Sequence, residues 1–303
     1  MGYWSEADIP DQTGRTVLIT GANSGLGLRS AQVLSGMGAR VFLGCRSAER
    51  GRAAVARVGG NVELVEIDLA DLASVRKAAA EVRERTGDKL DLLMNNAGVM
   101  GSSFQTTADG FELQFGTNHL GHAALTWLLM PAVRSGRVVS VASLASRGGG
   151  FDMSDPNFTR RRYSPARAYT QAKLANLVFI VELARRAKAA GYDLVTAAAH
   201  PGMSDSDLVA NSARARGFPR LGAVLGWAVH TGCQPVARGA LPQLYGALAP
   251  DVRSGSYFGP RWLLELVGPP APALLPKAAL DPENGRRLWE VTARLTGIVP
   301  DPA

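Results

Sequence analysis

Thr16-Val17-Leu18-Ile19-Thr20-Gly21-Ala22-Asn23-Ser24-Gly25-Leu26-Gly27 is the stretch on which the fold turns. An apolar, β-branched run ends in three glycines spaced G-x-x-x-G-x-G, and a segment of helical period follows. A strand, a tight turn and a helix in that order form a phosphate-binding unit, because a turn without Cβ atoms lets backbone approach a pyrophosphate closely. The helix that follows offers its unpaired N–H groups to the anion. The spacing differs from the G-x-G-x-x-G fingerprint, while the required strand and helix are both in place.

Outward from this turn, short apolar runs alternate with longer helical segments, the pattern of βα units around a parallel sheet. Strands are expected near Thr16–Thr20, Arg40–Leu43, Val62–Ile67, Leu90–Met94, Arg137–Val141 and Leu194–Ala199. A final strand near Ser256–Phe258 and a helix near Pro282–Thr296 close the chain. Runs such as VLIT and VVSVA are apolar at successive positions, as strands covered by helices on both faces should be. The fold class expected is therefore α/β, a Rossmann-like doubly wound parallel sheet.

We expect one domain over residues 1–303, with a core over 14–200, a polar Gly, Arg and Pro-rich insertion at 144–166, and a substrate loop with C-terminal closure over 201–303. Both irregular regions follow strands at their carboxyl ends, where open α/β sheets bind ligands. Hydrophobic residues make up 46% of the 303, enough for a substantial core. Two cysteines, Cys45 and Cys233, form no disulfide framework, and the opening MGYWSEADIPDQ lacks the apolar run of a signal peptide. Leu221 to Val229 is far short of the ~20 residues that cross a bilayer. The expectation is a cytoplasmic chain with no membrane anchor. Net charge is +7, but the basic residues are dispersed, so no nucleic-acid partner is expected and Arg160-Arg161-Arg162 reads as a solvated loop. His119, His122, His200 and His230 lack clustered carboxylate or cysteine partners, so no metal site is expected.

At the end of the second strand, where NAD-specific folds place a carboxylate on the ribose, the sequence reads Gly44-Cys45-Arg46-Ser47. Arg46 suits a 2′-phosphate instead, which favours NADP(H). Asp68, followed by Leu69, either accepts from the adenine amino group or caps the next helix. Asn95, Ala97 and Gly98 end the fourth strand with small residues against which a cofactor can lie, Asn95 also reading as a sheet-bridging residue.

The chemical signal is Tyr169-Thr170-Gln171-Ala172-Lys173, with only six tyrosines in the chain. Residues i and i+4 share a helix face, so phenol and ammonium can enter one site. A nearby cation is expected to lower the phenol pKa toward the operating pH, and Tyr169 could then exchange a proton with a substrate oxygen as hydride moves. Ser143, ending the fifth strand, supplies a hydroxyl for the carbonyl, ahead of Ser140 and Ser146. Asn118, inside a long helical pattern, either interrupts the helix and binds water in a proton relay with Lys173, or is a satisfied buried amide.

TGANSGLG, NNAG, Asn118, Ser143, YTQAK and His200-Pro201-Gly202 occur in the order of the short-chain dehydrogenase/reductase family, which the chain resembles over residues 14 to 210. GCRS, NHLGH, the long insertion and KLANLVFIVELARR are similar to its retinol dehydrogenase and protochlorophyllide reductase-like branch. The resemblance implies an Asn118–Ser143–Tyr169–Lys173 tetrad, with Lys173 also on the nicotinamide ribose. It implies cofactor contacts from Gly21, Asn23, Ser24, Gly25, Leu26 and Gly27, and from Pro201, Gly202 and Ser204 around the carboxamide. It also implies dimers or tetramers through two long helices. The expected reaction is NADPH-dependent hydride transfer with a carbonyl or alcohol of a lipophilic small molecule. Enone reduction, epimerisation, dehydration, or a non-catalytic NADPH-binding sensor or scaffold are the alternatives.

Overall fold

The computed structural model describes residues 3–101, 103–148, 150–204 and 233–303. Its centre is an eight-stranded sheet in the order β3-β2-β1-β4-β5-β6-β7-β8. The strands are β1 Thr16–Thr20, β2 Arg40–Cys45, β3 Val62–Glu66, β4 Leu92–Asn95, β5 Arg137–Val141, β6 Val195–Ala199, β7 Ser256–Trp262 and β8 Val267–Pro272. Neighbours from β3 through β7 pair in parallel, and β8 returns antiparallel on β7.

The helices are α1 Gly25–Gly36, α2 Ala48–Val58, α3 Leu72–Thr86, α4 Leu113–Phe115, α5 Gly121–Val133, α6 Pro165–Ala189, α7 Val236–Leu248, α8 Lys277–Leu280 and α9 Pro282–Thr296. Their ends follow capping chemistry written in the sequence. Asp71 accepts from Ala73 and Ser74 N–H at the start of α3, and Gly87 ends it in the left-handed conformation. Ser164 caps α6 ahead of Pro165, and Asp281 caps α9 ahead of Pro282.

Successive strand residues point to opposite faces, so each strand feeds two cores. Leu18, Phe42, Val65, Leu93, Val138 and Ala198 pack under α3, α5 and α6. Val17, Ile19, Val41, Leu43, Met94, Val139 and Ala197 pack on the other face against α1 and α7. This is the doubly wound α/β sheet expected from the apolar runs.

The strand expectations need small corrections and one large one. β2 runs on to Cys45, β3 ends at Glu66, β4 begins at Leu92 and β6 at Val195. The large correction is at the carboxyl end: the strand expected near Ser256–Phe258 extends to Trp262 and hairpins into β8. Val267-Gly268-Pro269-Pro270-Ala271-Pro272 hides its strand character because proline cannot donate to a ladder, which is tolerated on an edge.

Between α4 and α5 the helix widens into a π turn over Gly116–Leu120. His122 sits one turn later, buried, with Nδ1 3.0 Å from the Asn118 carbonyl and Nε2 2.8 Å from Thr20 Oγ1. A carbonyl only accepts, so Nδ1 carries the proton and the Thr20 hydroxyl donates to Nε2. Thr20 Oγ1 in turn accepts from Asn96 and Ala97 N–H at 3.0 Å each. One neutral imidazole thus ties the π turn to the ends of β1 and β4. His119 is also fully buried, with Nε2 2.9 Å from Thr292 Oγ1 on α9. Among the described histidines each has a structural partner; His230 and the run from Leu221 to Val229 lie outside the described residues.

Burial pushes His119 down to about 3 and His122 down to about 4, from an ordinary 6.5. The unfolded chain therefore takes up these protons first as pH falls, and stability is lost from about pH 6.5 down toward the folded values. Urea unfolding followed from pH 7 to 5 is expected to show this loss. In His119→Gln the slope should be shallower, by up to about 1.4 kcal/mol per pH unit; an unchanged slope would contradict this origin of the acid sensitivity.

Candidate active site

The carboxyl ends of the parallel strands open into a cavity of about 500 Å³. It lies where β1 and β4 are neighbours but their following helices leave to opposite faces, the switch point at which such sheets bind ligands. Each glycine of the opening turn has its own physical reason. A Cβ on Gly21 would lie 2.9 Å from Ala97 Cα, and Gly21 has φ 67. On Gly27 it would lie 2.5 Å from Asn96 Nδ2 and 2.6 Å from Gly21 O. Gly25, with φ 53 and open space around it, is required by conformation alone.

Gly21, Asn23, Ser24, Gly25, Leu26 and Gly27 all line the cavity, with the amino end of α1 aimed into it. Arg46, Asp68, Leu69, Ala97 and Gly98 continue the wall, followed by Pro201, Gly202 and Ser204. Asp68 does not cap α3, a role that Asp71 fills. Its Oδ1 instead accepts from Ala70 N at 2.9 Å, shaping the turn after β3. Asn95 does not reach the cavity: it is buried in the sheet and donates from Nδ2 to Thr126 Oγ1 at 2.9 Å. The expectation that it touches a cofactor is corrected to its sheet-bridging reading, and Asn96 lines the wall in its place.

Arg50 is a wall residue that the sequence reading missed. In the orientation that satisfies its amide, Asn23 accepts through oxygen from Arg50 Nε and Nη2 at 3.2 and 3.0 Å. Arg46 precedes the Ser47 cap of α2 and Arg50 lies in the first turn of that helix, so both border the cavity next to the end of β2. Among the described residues the one acid that lines the cavity is Asp68, after β3.

At the other end Ser143, Tyr169 and Lys173 meet on one wall. Ser143 ends β5 and its Oγ also accepts from Ala145 N at 3.2 Å, capping the 3-10 turn Leu144–Arg147. Ser140 stays buried in the sheet and Ser146 is buried off the cavity, so neither rival reaches it. Lys173 is fully buried and donates from Nζ to the Val141 carbonyl at 2.8 Å, with Nζ 6.0 Å from the Tyr169 ring centre. Gly98 makes room for it: a Cβ there would stand 3.3 Å from Lys173 Nζ and 3.5 Å from Asn118 Oδ1.

Asn118 sits in the π turn that interrupts the helix, and its amide is satisfied within the chain. Its Oδ1 accepts from Val99 N at 2.7 Å and its Nδ2 donates to Val99 O at 2.9 Å, so the side chain zips onto the segment after β4. Its main-chain carbonyl is taken by His122. One expectation, that for Tyr169, is corrected here. Burial pushes its phenol up, opposed by a hydrogen bond with Ser143 rather than by the ammonium. Burial also pushes Lys173 down, to about 8. Desolvation is the largest influence on both groups.

The insertion folds on itself. The Asp155 carboxylate accepts from Thr159, Arg160 and Arg161 N–H, and Arg161 stacks 4.3 Å over Phe158. The basic run is therefore partly structural, with Arg160 and Arg162 exposed. Two buried hydroxyls on the cavity, Thr117 Oγ1 and Ser204 Oγ, have no hydrogen-bond partner among the described residues. Orphaned polar atoms on a cavity wall mark a surface built for a polar ligand. Close-approach glycines at one end, guanidinium groups next to them and hydroxyls at the other end fit an elongated anionic dinucleotide.

Comparison with known proteins agrees with this geometry. A family profile described as short chain dehydrogenase matches residues 15–217. Human retinol dehydrogenase 13 is 37% identical over 304 residues, covering 97% of this chain and 87% of that protein. The crystal structure of an uncharacterized protein from Mycobacterium paratuberculosis is 41% identical, with a TM-score of 0.83 and 98% of each chain covered. A short chain dehydrogenase/reductase from Burkholderia phymatum, solved in complex with NAD, shares the fold at 22% identity and a TM-score of 0.60, over 77% of this chain and 85% of that one. With a glycine-turned cavity at the switch point of a parallel sheet, these matches make the chain a member of the short-chain dehydrogenase/reductase family of nicotinamide-dependent oxidoreductases, in its retinol dehydrogenase-like branch.

Proposed function

We propose that the chain uses NADP(H) to move hydride between the nicotinamide and a carbonyl or alcohol carbon of a lipophilic small molecule, with Tyr169 as the proton donor or acceptor. The observation that carries this reading is the convergence of Tyr169, Ser143 and Lys173 on the cavity that begins at the glycine turn. The cofactor, when bound, supplies or takes the hydride. The chain's own groups do the rest. Ser143 offers a hydroxyl to the substrate oxygen, and Tyr169 exchanges a proton with that oxygen. Because burial raises the phenol, its neutral form dominates at neutral pH, the state ready to donate. Lys173, mostly cationic below about pH 8, holds positive charge beneath the site. Asn118 holds Val99 in place on the substrate side.

Val99, Met100 and Met203 on the wall support an apolar substrate, as does the alcohol in the name of the human relative. Arg46 and Arg50, with Cys45 where an acid would stand, support a 2′-phosphate. Cys45 is a buried thiol pushed up to about 11, a group suited to the reducing, cytoplasmic setting we assign. Among the described residues no helix is long and apolar enough to cross a membrane.

Tyr169→Phe is expected to lower kcat about 100- to 10,000-fold over a panel of lipophilic aldehydes and alcohols while cofactor affinity changes little. Turnover that survives the substitution would remove Tyr169 from the chemistry. For the cofactor, wild type should bind NADPH more tightly than NADH in a fluorescence titration. Arg46→Ala and Arg50→Ala should each weaken NADPH by about 1 kcal/mol, the low end for a charged hydrogen bond because both groups are solvent-exposed, and leave NADH unchanged. Equal affinities for the two dinucleotides in wild type would overturn the NADP(H) assignment.

A further inference from the structure

A charged cluster stands behind the wall that carries Ser143 and Gly202, built from Glu265 and Arg147, which none of the motifs contains, and from His200, which opens the His200-Pro201-Gly202 motif. The hairpin between β7 and β8 turns through Leu263, Leu264 and Glu265, three consecutive residues in the left-handed region at φ 50, 57 and 66. Such a conformation is unfavourable for residues with a Cβ and persists where the surroundings fix it. Here Leu266 N bonds back to Trp262 O, and Leu266 O accepts from Met203 N at 2.8 Å. The turn sends Glu265 inward while Leu263 and Leu264 stay exposed.

The Glu265 carboxylate joins two strand-end segments. Its Oε2 lies 2.8 Å from His200 Nε2 and 2.5 Å from Arg147 Nη2. His200 follows β6, and its side chain is 0% exposed. The β7 backbone packs onto the ring so closely that a Cβ on Gly259 would come within 1.9 Å of Nε2. On the ring's other nitrogen, Nδ1 accepts from Gly202 N at 3.2 Å. A nitrogen that accepts carries no proton, so the proton is on Nε2 and is donated to Glu265. Arg147 closes the 3-10 turn that Ser143 opens. The other groups facing His200 are few: Tyr257 on β7 has its ring centre 5.3 Å away, and burial and Arg147 hold the imidazole neutral against Glu265.

Resting on the dinucleotide reading above, we propose that Glu265 is a positioning residue for the nicotinamide half of the cavity. Its carboxylate holds His200 in the Nε2-protonated tautomer, leaving the Nδ1 lone pair to orient the Gly202 amide. Through Arg147 it anchors the turn of Ser143 at the same point. Glu265 is not among the residues that line the cavity, and it acts through the two segments it joins.

The test uses the full-length chain, uniformly 15N-labelled, with the His200 imidazole signals assigned by a His200→Gln control. Wild type without any dinucleotide should show His200 as the Nε2–H tautomer. Glu265→Ala should give a mixture of tautomers and weaken NADPH about tenfold, the size expected for one charge-assisted hydrogen bond. Glu265→Gln keeps an oxygen to accept from Nε2–H, so it should retain the tautomer and stay within about threefold of wild-type affinity, serving also where the alanine variant fails to fold. A wild-type Nδ1–H tautomer, an alanine variant with tautomer and affinity unchanged, or a glutamine variant that loses affinity with its tautomer intact would each overturn the assignment. A wild type that binds neither NADPH nor NADH would instead sink the dinucleotide reading, while the tautomer measurement still decides the role of Glu265.

Discussion

Seven neighbouring strands run parallel, and a parallel sheet brings every carboxyl end to one edge. All else in the molecule depends on that constraint. The chain leaves β1 and β4 toward opposite faces, so a crevice opens between their ends. Into it come residues that are far apart in sequence: the glycine turn after β1, Arg46 after β2, Asp68 after β3, Gly98 after β4, Ser143 after β5 and Gly202 after β6. The site is thus made of strand ends, with α6 laid across them to deliver Tyr169 and Lys173.

Holding six chain ends apart at one edge requires polar bonds that water does not weaken, and the buried groups supply them. The neutral ring of His122 joins the π turn to Thr20, and Thr20 fixes the amides of Asn96 and Ala97. Asn118 repeats the device on Val99 through both atoms of its amide. On the other side of the crevice His200 bonds the Gly202 amide. Each of these groups is strong because it is dry, and dryness has electrostatic consequences. It pushes the imidazoles of His119 and His122 down, Lys173 to about 8, and the Tyr169 phenol up.

Much of this was legible in the sequence where the signal is local. Apolar runs gave the strands, and the closing helix was expected near Pro282–Thr296, where it lies. The i, i+4 spacing placed Tyr169 and Lys173 on one face. What escaped were relations between distant segments. β8 was hidden by its prolines, which an edge strand tolerates and a sequence pattern does not reveal. Asn95 reads as a sheet brace ahead of a ligand contact, and the Asn118 amide reads equally well either way. Their partners, Thr126 and Val99, decide the matter and lie on other elements. Arg50 is close to Arg46 in sequence, yet only the cavity shows that both residues line the same space.

By itself the sequence determined the periodicities: two for strands, 3.6 for helices, glycine where backbone must pass close, and a tyrosine one helical turn from a lysine. These are short-range properties, fixed by sterics and by the hydrogen-bonding capacity of neighbouring residues. The tertiary structure decided which groups are dry and who their partners are. A phenol read as acidified by its neighbouring ammonium is instead pushed up by burial, opposed by Ser143. Charge and proton position respond to the surrounding dielectric and to every nearby dipole, and both are set by chain segments that meet only when the sheet has formed.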